Sequence, residues 1–171
     1  MKPKSEQDCR RTGEEVKVYG NNFALDVFGG MNKASTAHVV NLKIARKQAD
    51  SNEYDWAGDW IWVQVSGAEI APFLSVLLGY KKSVHIEHFN NGVMKNLELR
   101  LNTAESATDI SYVLSMRTNE NGSARAVKIE QTDRVRMSIF FFRVFMKMNG
   151  GLAQDVLYMM LRDIYGRSEV H

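Results

Sequence analysis

A chain of 171 residues can bury one hydrophobic core without metals or disulfides, and nothing in its length calls for a second domain. Its single cysteine, Cys9, excludes a disulfide framework and suits a reducing, cytoplasmic compartment; no apolar run reaches the roughly 20 residues of a membrane span. A net charge of +2 excludes inferring nucleic-acid binding from overall basicity.

The charges nevertheless fall in blocks. Lys33, Lys43, Arg46 and Lys47 lie in a stretch with no acid, and Asp50, Glu53, Asp55, Asp59 and Glu69 follow in one with no base. Residues 1–16 have mixed charge and no periodicity, which predicts a disordered or loosely attached arm and not a signal peptide. Residues 17–150 read as one folded domain and 151–171 as a C-terminal helix and tail.

A first strand is centred on Phe23 to Val27, with Phe23, Leu25 and Val27 on one face, and Gly29-Gly30 reads as its end. Thr36 to Gln48 alternates again, Val40, Leu42 and Ile44 opposing Asn41, Lys43 and Lys47. After a polar loop, Trp60 to Val65 places Ile61, Val63 and Val65 on one side and Trp60, Trp62 and Gln64 on the other. Ser66-x-x-Glu69 is a capping box, and Ile70, Phe73, Leu74 and Leu77 follow at helical spacing until Gly79. Pro72 removes a backbone donor, so this helix begins irregularly or later than its capping box.

Val84 and Ile86 alternate with His85 and Glu87; Asn90-Asn91-Gly92 turns the chain; Leu97, Leu99 and Leu101 alternate with Asn96, Glu98 and Arg100. Ile110 to Arg117 and Arg125 to Gln131 pair across Asn119-Glu-Asn-Gly122. Thr132-Asp133 offers an N-cap for a helix over Arg134 to Asn149, stopped by Gly150-Gly151. Its apolar residues cover most of the circumference, which means deep burial or sharing with another subunit. A last helix, Leu152 to Tyr165, has Leu152, Val156, Met159, Met160 and Ile164 available for packing. The class is α+β: two antiparallel four-stranded-type sheets in a β-β-β-α / β-β-β-β-α quasi-repeat, helices on one side, plus a short C-terminal helix.

This order, with Tyr54-Asp-Trp56, Ser66-x-x-Glu69-Ile70, Gly79-x-Lys81-x-Ser83 leading into a strand that ends near His88, the Asn-Gly hairpin and the aromatic helix up to Gly150, resembles the Whirly family of single-stranded DNA-binding proteins. That family shares its topology with the kinetoplast guide-RNA-binding proteins and, in halves, with the coactivator positive cofactor four. The likeness runs from Tyr19 to Gly150 and implies a homotetramer built through the helices, with single strands lying across the sheets. The family's first strand carries a lysine-rich motif between a tyrosine and an Ala-Leu pair. The matching stretch here, Tyr19-Gly-Asn-Asn-Phe-Ala-Leu25, lacks the lysines, so the resemblance does not bring contacts from that strand, or assembly beyond a tetramer, to this chain.

A single-strand binder needs aromatic faces for unpaired bases and cations along the phosphates. Trp60 and Trp62 supply the faces; Lys43, Lys47, Arg100, Arg117 and Lys128 are phosphate partners; Asn22, Asn41 and Gln64 are donors to base edges or sugars. Tyr19 and the outward-facing His85 complete the candidate set. The rival reading packs both tryptophans under a loop or another subunit.

His85-x-x-His88 in a strand places its rings on opposite faces with no cysteine nearby, against a zinc site, and no cofactor is expected. No nucleophile with a supporting base, no carboxylate pair flanking a glycine turn and no phosphate-binding glycine pattern is present, against an enzyme. Three functions stay open: a largely sequence-independent single-stranded DNA binder, an RNA-binding or annealing protein, and an interaction scaffold. Replication, recombination, plasmid or phage maintenance and transcription control all use such binding modules.

Overall fold

Strands whose apolar residues alternate bury one side, and eight strands among the described residues build this fold, β4 with a clean alternation of buried and half-buried positions. The structure, a computed structural model, describes residues 14–102, 110–120 and 122–166. Strands β1 (Glu15–Tyr19), β2 (Phe23–Met31), β3 (His38–Arg46) and β4 (Trp60–Ser66) form an antiparallel sheet in chain order. A second antiparallel sheet, also in chain order, comprises β5 (Ser83–Asn90), β6 (Val93–Asn102), β7 (Ser111–Thr118) and β8 (Arg125–Ile129). Each sheet is followed by a helix, α1 (Ile70–Leu77) and α2 (Gln131–Met148), and α3 (Gln154–Tyr165) ends the described chain. The architecture is therefore α+β, with two four-stranded units each leading into a helix.

The first unit differs in detail from its sequence pattern. Glu15 and Val16, expected in the arm, belong to a separate β1, which Gly20–Asn22 turns back onto β2, the Gly20 N–H donating to the Phe23 carbonyl at 2.9 Å. Residues 1–13 of the expected arm, with Cys9, lie outside the described residues, as do residues 167–171 of the tail. Gly29 and Gly30 do not end β2; they pair with Val40 and Val39 inside it. Continuous ladder pairing on β3 outweighs the local preference of two glycines for a turn.

The start of the first helix follows from Pro72. A 3-10 turn, Gly67–Glu69, precedes α1, which puts Pro72 in the first helical turn, where no backbone donor is needed. Glu69 Oε2 accepts the Ser66 N–H at 3.0 Å, as a capping box requires, and Oε1 lies 2.6 Å from His88 Nε2 on β5. This one carboxylate joins the helix start to the second sheet. Helix α2 begins at Gln131, ahead of the expected Thr132-Asp133 cap.

One core lies between the inner faces of the sheets and the helices. Leu25, Leu42, Ile44, Ile61 and Val63 of the first sheet and Leu97, Leu99, Leu114 and Ile129 of the second are all in it. The stacked rings of Phe73 and Phe141, 4.5 Å between centroids, join α1 to α2 there. Leu157 and Leu161 are the buried residues of α3, whereas Leu152, Met159, Met160 and Ile164, expected to pack, are exposed. The Tyr80 ring meets the edge of Tyr158 at 6.2 Å, and burial, followed by the Tyr158 hydrogen bond, pushes the Tyr80 phenol up to about 12. Among the described residues no helix is long and apolar enough to cross a membrane.

Candidate nucleic-acid interface

The register of the first sheet lines up its outer face in rows. Tyr19, Ala24, Ala45 and Trp60 form one row, and Lys17, Asp26, Lys43 and Trp62 the next. Phe28, Asn41 and Gln64 form the third. Because Ile61, Val63 and Val65 take the core side of β4, Trp60 and Trp62 stand on the side away from the helices, half-buried.

Each indole carries a lysine. Lys43 Nζ lies 4.4 Å from the Trp60 ring centroid and donates to the Trp56 carbonyl at 2.6 Å. Lys95 Nζ, from β6 of the other sheet, lies 5.2 Å from the Trp62 centroid. Trp60 Nε1 donates to the Ala57 carbonyl at 3.4 Å, which fixes its ring plane against the loop. The row continues past the end of the sheet, where Tyr54 lies 5.7 Å from Tyr19 and 6.3 Å from Trp56. The Tyr54 hydroxyl donates to the Gly20 carbonyl at 2.5 Å, and its backbone bridges to Lys47. Five aromatic side chains and four lysines (Lys17, Lys43, Lys47 and Lys95) thus share one surface with Asp26 and Glu15. The Glu15 hydrogen bond, and beyond it the Asp26 charge, raise the Lys17 pKa above its ordinary value against the opposing effect of burial, so Lys17 stays cationic.

The twelve residues expected from sequence divide between two surfaces. Tyr19, Asn22, Asn41, Lys43, Lys47, Trp60, Trp62 and Gln64 belong to the first sheet and its adjoining turns. Asn22 is exposed, with its carbonyl accepting the Lys47 N–H at 2.9 Å. Asn41 departs from the expected donor role: it is 0% exposed, and its Oδ1 accepts from Gln64 Nε2 at 3.1 Å. Phe28 and Gln64 flank it on the neighbouring strands.

His85, Arg100, Arg117 and Lys128 lie on the outer face of the second sheet. Three of them sit beside carboxylates: His85 Nε2 is 3.1 Å from Glu87, Arg100 Nε 4.0 Å from Glu98 and Lys128 Nζ 3.0 Å from Glu130. That face is mixed in charge where the first is basic and aromatic. His85 points outward and His88 inward to Glu69, and among the described residues no cluster of metal-ligating groups occurs.

Sequence reasoning missed Tyr54, Trp56 and Lys95 as members of the surface. The aromatic density of Tyr54-Asp-Trp56 inside an acidic loop was a usable signal; Lys95 left none, because its contact with Trp62 is made between sheets.

Neither a protein-family model nor a curated protein sequence matches the chain. Solved structures do. WHY1 from Arabidopsis thaliana aligns with TM-score 0.61 and 16% identity over 92% of this chain and 96% of that one. WHY3 from Arabidopsis thaliana aligns with TM-score 0.58 and 16% identity over 91% and 98%. A guide-RNA-binding protein complex bound to a gRNA aligns with TM-score 0.59 and 16% identity over 83% and 94%. The chain thus has the fold of the Whirly proteins and of the guide-RNA-binding proteins, extended over nearly the whole of both partners.

Proposed function

We propose that this chain is a non-catalytic, largely sequence-independent single-stranded DNA-binding protein that stacks bases on the outer face of its first sheet. The observation that carries the reading is the pair Trp60 and Trp62 on a sheet face the helices leave open, each with a lysine at its ring. Lys43 and Lys95 can leave the indoles for phosphates as bases take their place, so one site supplies stacking and neutralisation together. Oligothymidine is expected to quench tryptophan fluorescence with an affinity that falls as salt rises, because bound phosphates release counterions. Duplex of the same length should bind far less well, since paired bases offer no free faces; equal affinity for duplex would reject the proposal. The fold likeness to a guide-RNA-binding complex supports RNA as the second ligand, and competition between DNA and RNA oligonucleotides of one sequence separates the two.

The helices support assembly as a homotetramer. Val135 and Ile139, one turn apart on α2, are 45% and 50% exposed, and Leu152 just before α3 and Met159, Met160 and Ile164 within it add exposed apolar area. A helix that buries one stripe in its own core and leaves another bare suits a second copy. Ile139→Asp is expected to reduce the solution mass to that of a single chain, because a carboxylate would be buried in the joint. An unchanged mass in light scattering would refute assembly through this face.

A further inference from the structure

At the end of the aromatic row, beyond Lys43, lies an open surface cavity of about 540 Å³ lined by Tyr19, Lys47, Asn52, Glu53, Tyr54 and Trp56. Its composition differs from that of the Trp60 and Trp62 track. The track offers rings and cations, which suit any base; the cavity adds a carboxylate and a carboxamide from adjacent residues, which do not. We propose that this cavity is a reading pocket for one unpaired guanine at one end of the bound strand, giving an otherwise tolerant binder a single preferred position. The proposal rests on the single-strand reading above and deepens it.

The shape is set by groups that hold one another. Tyr54 is anchored through its hydroxyl to the Gly20 carbonyl, and its ring stands tilted between Tyr19 and Trp56, at 42° and 47°. Tyr19, 63% exposed, faces the anchored Tyr54 from the end of β1. The Asn52-Glu53 segment is pinned through its backbone: the Glu53 N–H donates to Ser51 Oγ at 3.0 Å and its carbonyl accepts the Gln48 N–H at 2.9 Å. Among the described residues, Lys47 has no carboxylate within ion-pair range, so its ammonium is available for the phosphate of the inserted nucleotide.

A carboxylate only accepts hydrogen bonds. Guanine presents it with two adjacent donors, N1–H and the N2 amine, and places O6 next to them, where a carboxamide N–H of Asn52 can donate. Cytosine and adenine offer one amine beside a ring acceptor. Thymine is the poorest match, because its one donor is flanked by two carbonyl oxygens that repel the carboxylate. A negative side chain beside a phosphate-binding lysine costs affinity for a strand that does not use it, which is the expected cost of specificity.

The experiment scans a single guanine through an oligothymidine of fixed length, with binding measured by tryptophan fluorescence. The intact chain should prefer guanine at one end of the oligonucleotide by about tenfold, the scale of a hydrogen bond to a charged group, with the preference fading towards the other end. Glu53→Gln, an exposed and isosteric change, should erase that ratio by weakening only the guanine-bearing ligand, while affinity for pure oligothymidine does not fall. The pocket is overturned if guanine gives no preference at any position, if the preference ignores position, or if Glu53→Gln retains it. Loss of the parent reading looks different: oligothymidine itself would then fail to quench.

Discussion

Replacing Trp60 and Trp62 together with alanine is expected to weaken oligothymidine binding by about 100-fold or more, since each base stacked on an aromatic ring contributes about 1 to 3 kcal/mol. The chain should still fold, because both indoles lie on the outer face of β4 and the core on its other side is made by Ile61, Val63 and Val65. Phenylalanine at both positions should restore most of the affinity, as a smaller ring still offers a face, whereas glutamine should not. The salt dependence separates the two contributions. The alanine variant keeps Lys43 and Lys95, so its residual binding should fall with salt at nearly the same logarithmic slope. Lys43→Gln and Lys95→Gln should each lower that slope by about one phosphate contact. Titrations at several salt concentrations, beside a circular dichroism spectrum, check all of this. An alanine variant that binds as tightly as the parent would place the strand elsewhere, on the mixed-charge face of the second sheet around Arg117.

Much of the candidate surface was legible because strand periodicity is a local signal. Given Ile61, Val63 and Val65 as a buried set, Trp60 and Trp62 must face the other way, and the structure places them so. Facing outward is not the same as being exposed. Asn41 alternates with Val40 and Leu42 as expected, yet it is fully buried between Phe28 and Gln64 of the flanking strands and accepts the Gln64 amide. The second sheet shows the same limit in charge: Arg100 and Lys128 occupy the outward positions, but Glu98 and Glu130 sit beside them, which alternation alone does not show. Gly29-Gly30 misled because a local turn preference yields to ladder pairing with Val39 and Val40. Helix α2 was legible as having more apolar surface than one core needs, and α3 as having residues available for packing, but which stripe faces inward depends on tertiary packing. Leu157 and Leu161 won over Met160 and Ile164.

Contacts between the sheets were the least legible, and the strongest of them yields the largest expected effect on stability. Asp59, just before β4, accepts from Arg125, which opens β8. Arg125 Nη1 donates to the Asp59 carbonyl at 2.9 Å and Nη2 to its Oδ1, and Asp59 Oδ2 holds Arg46 Nε at 2.9 Å. The partners are unequally buried: the Arg125 side chain is 4% exposed and that of Asp59 43%. The cost of breaking the pair therefore depends on which partner goes. Asp59→Ala leaves a buried guanidinium facing one carbonyl and is expected to cost about 3 kcal/mol, since orphaning a buried charge costs more than the pair itself contributes. Arg125→Met removes the buried charge and fills the space with apolar atoms; the remaining carboxylate keeps water and Arg46, so the expected loss is only about 1 kcal/mol. The double variant should then be more stable than Asp59→Ala alone, because no unpaired cation remains buried. Thermal unfolding at one fixed protein concentration measures this. A loss of about 3 kcal/mol corresponds to roughly 6 to 12 °C for a chain of this size. If Arg125→Met proves as damaging as Asp59→Ala, burial does not set the asymmetry and the two sheets are held together at that end by the hydrogen bonds themselves.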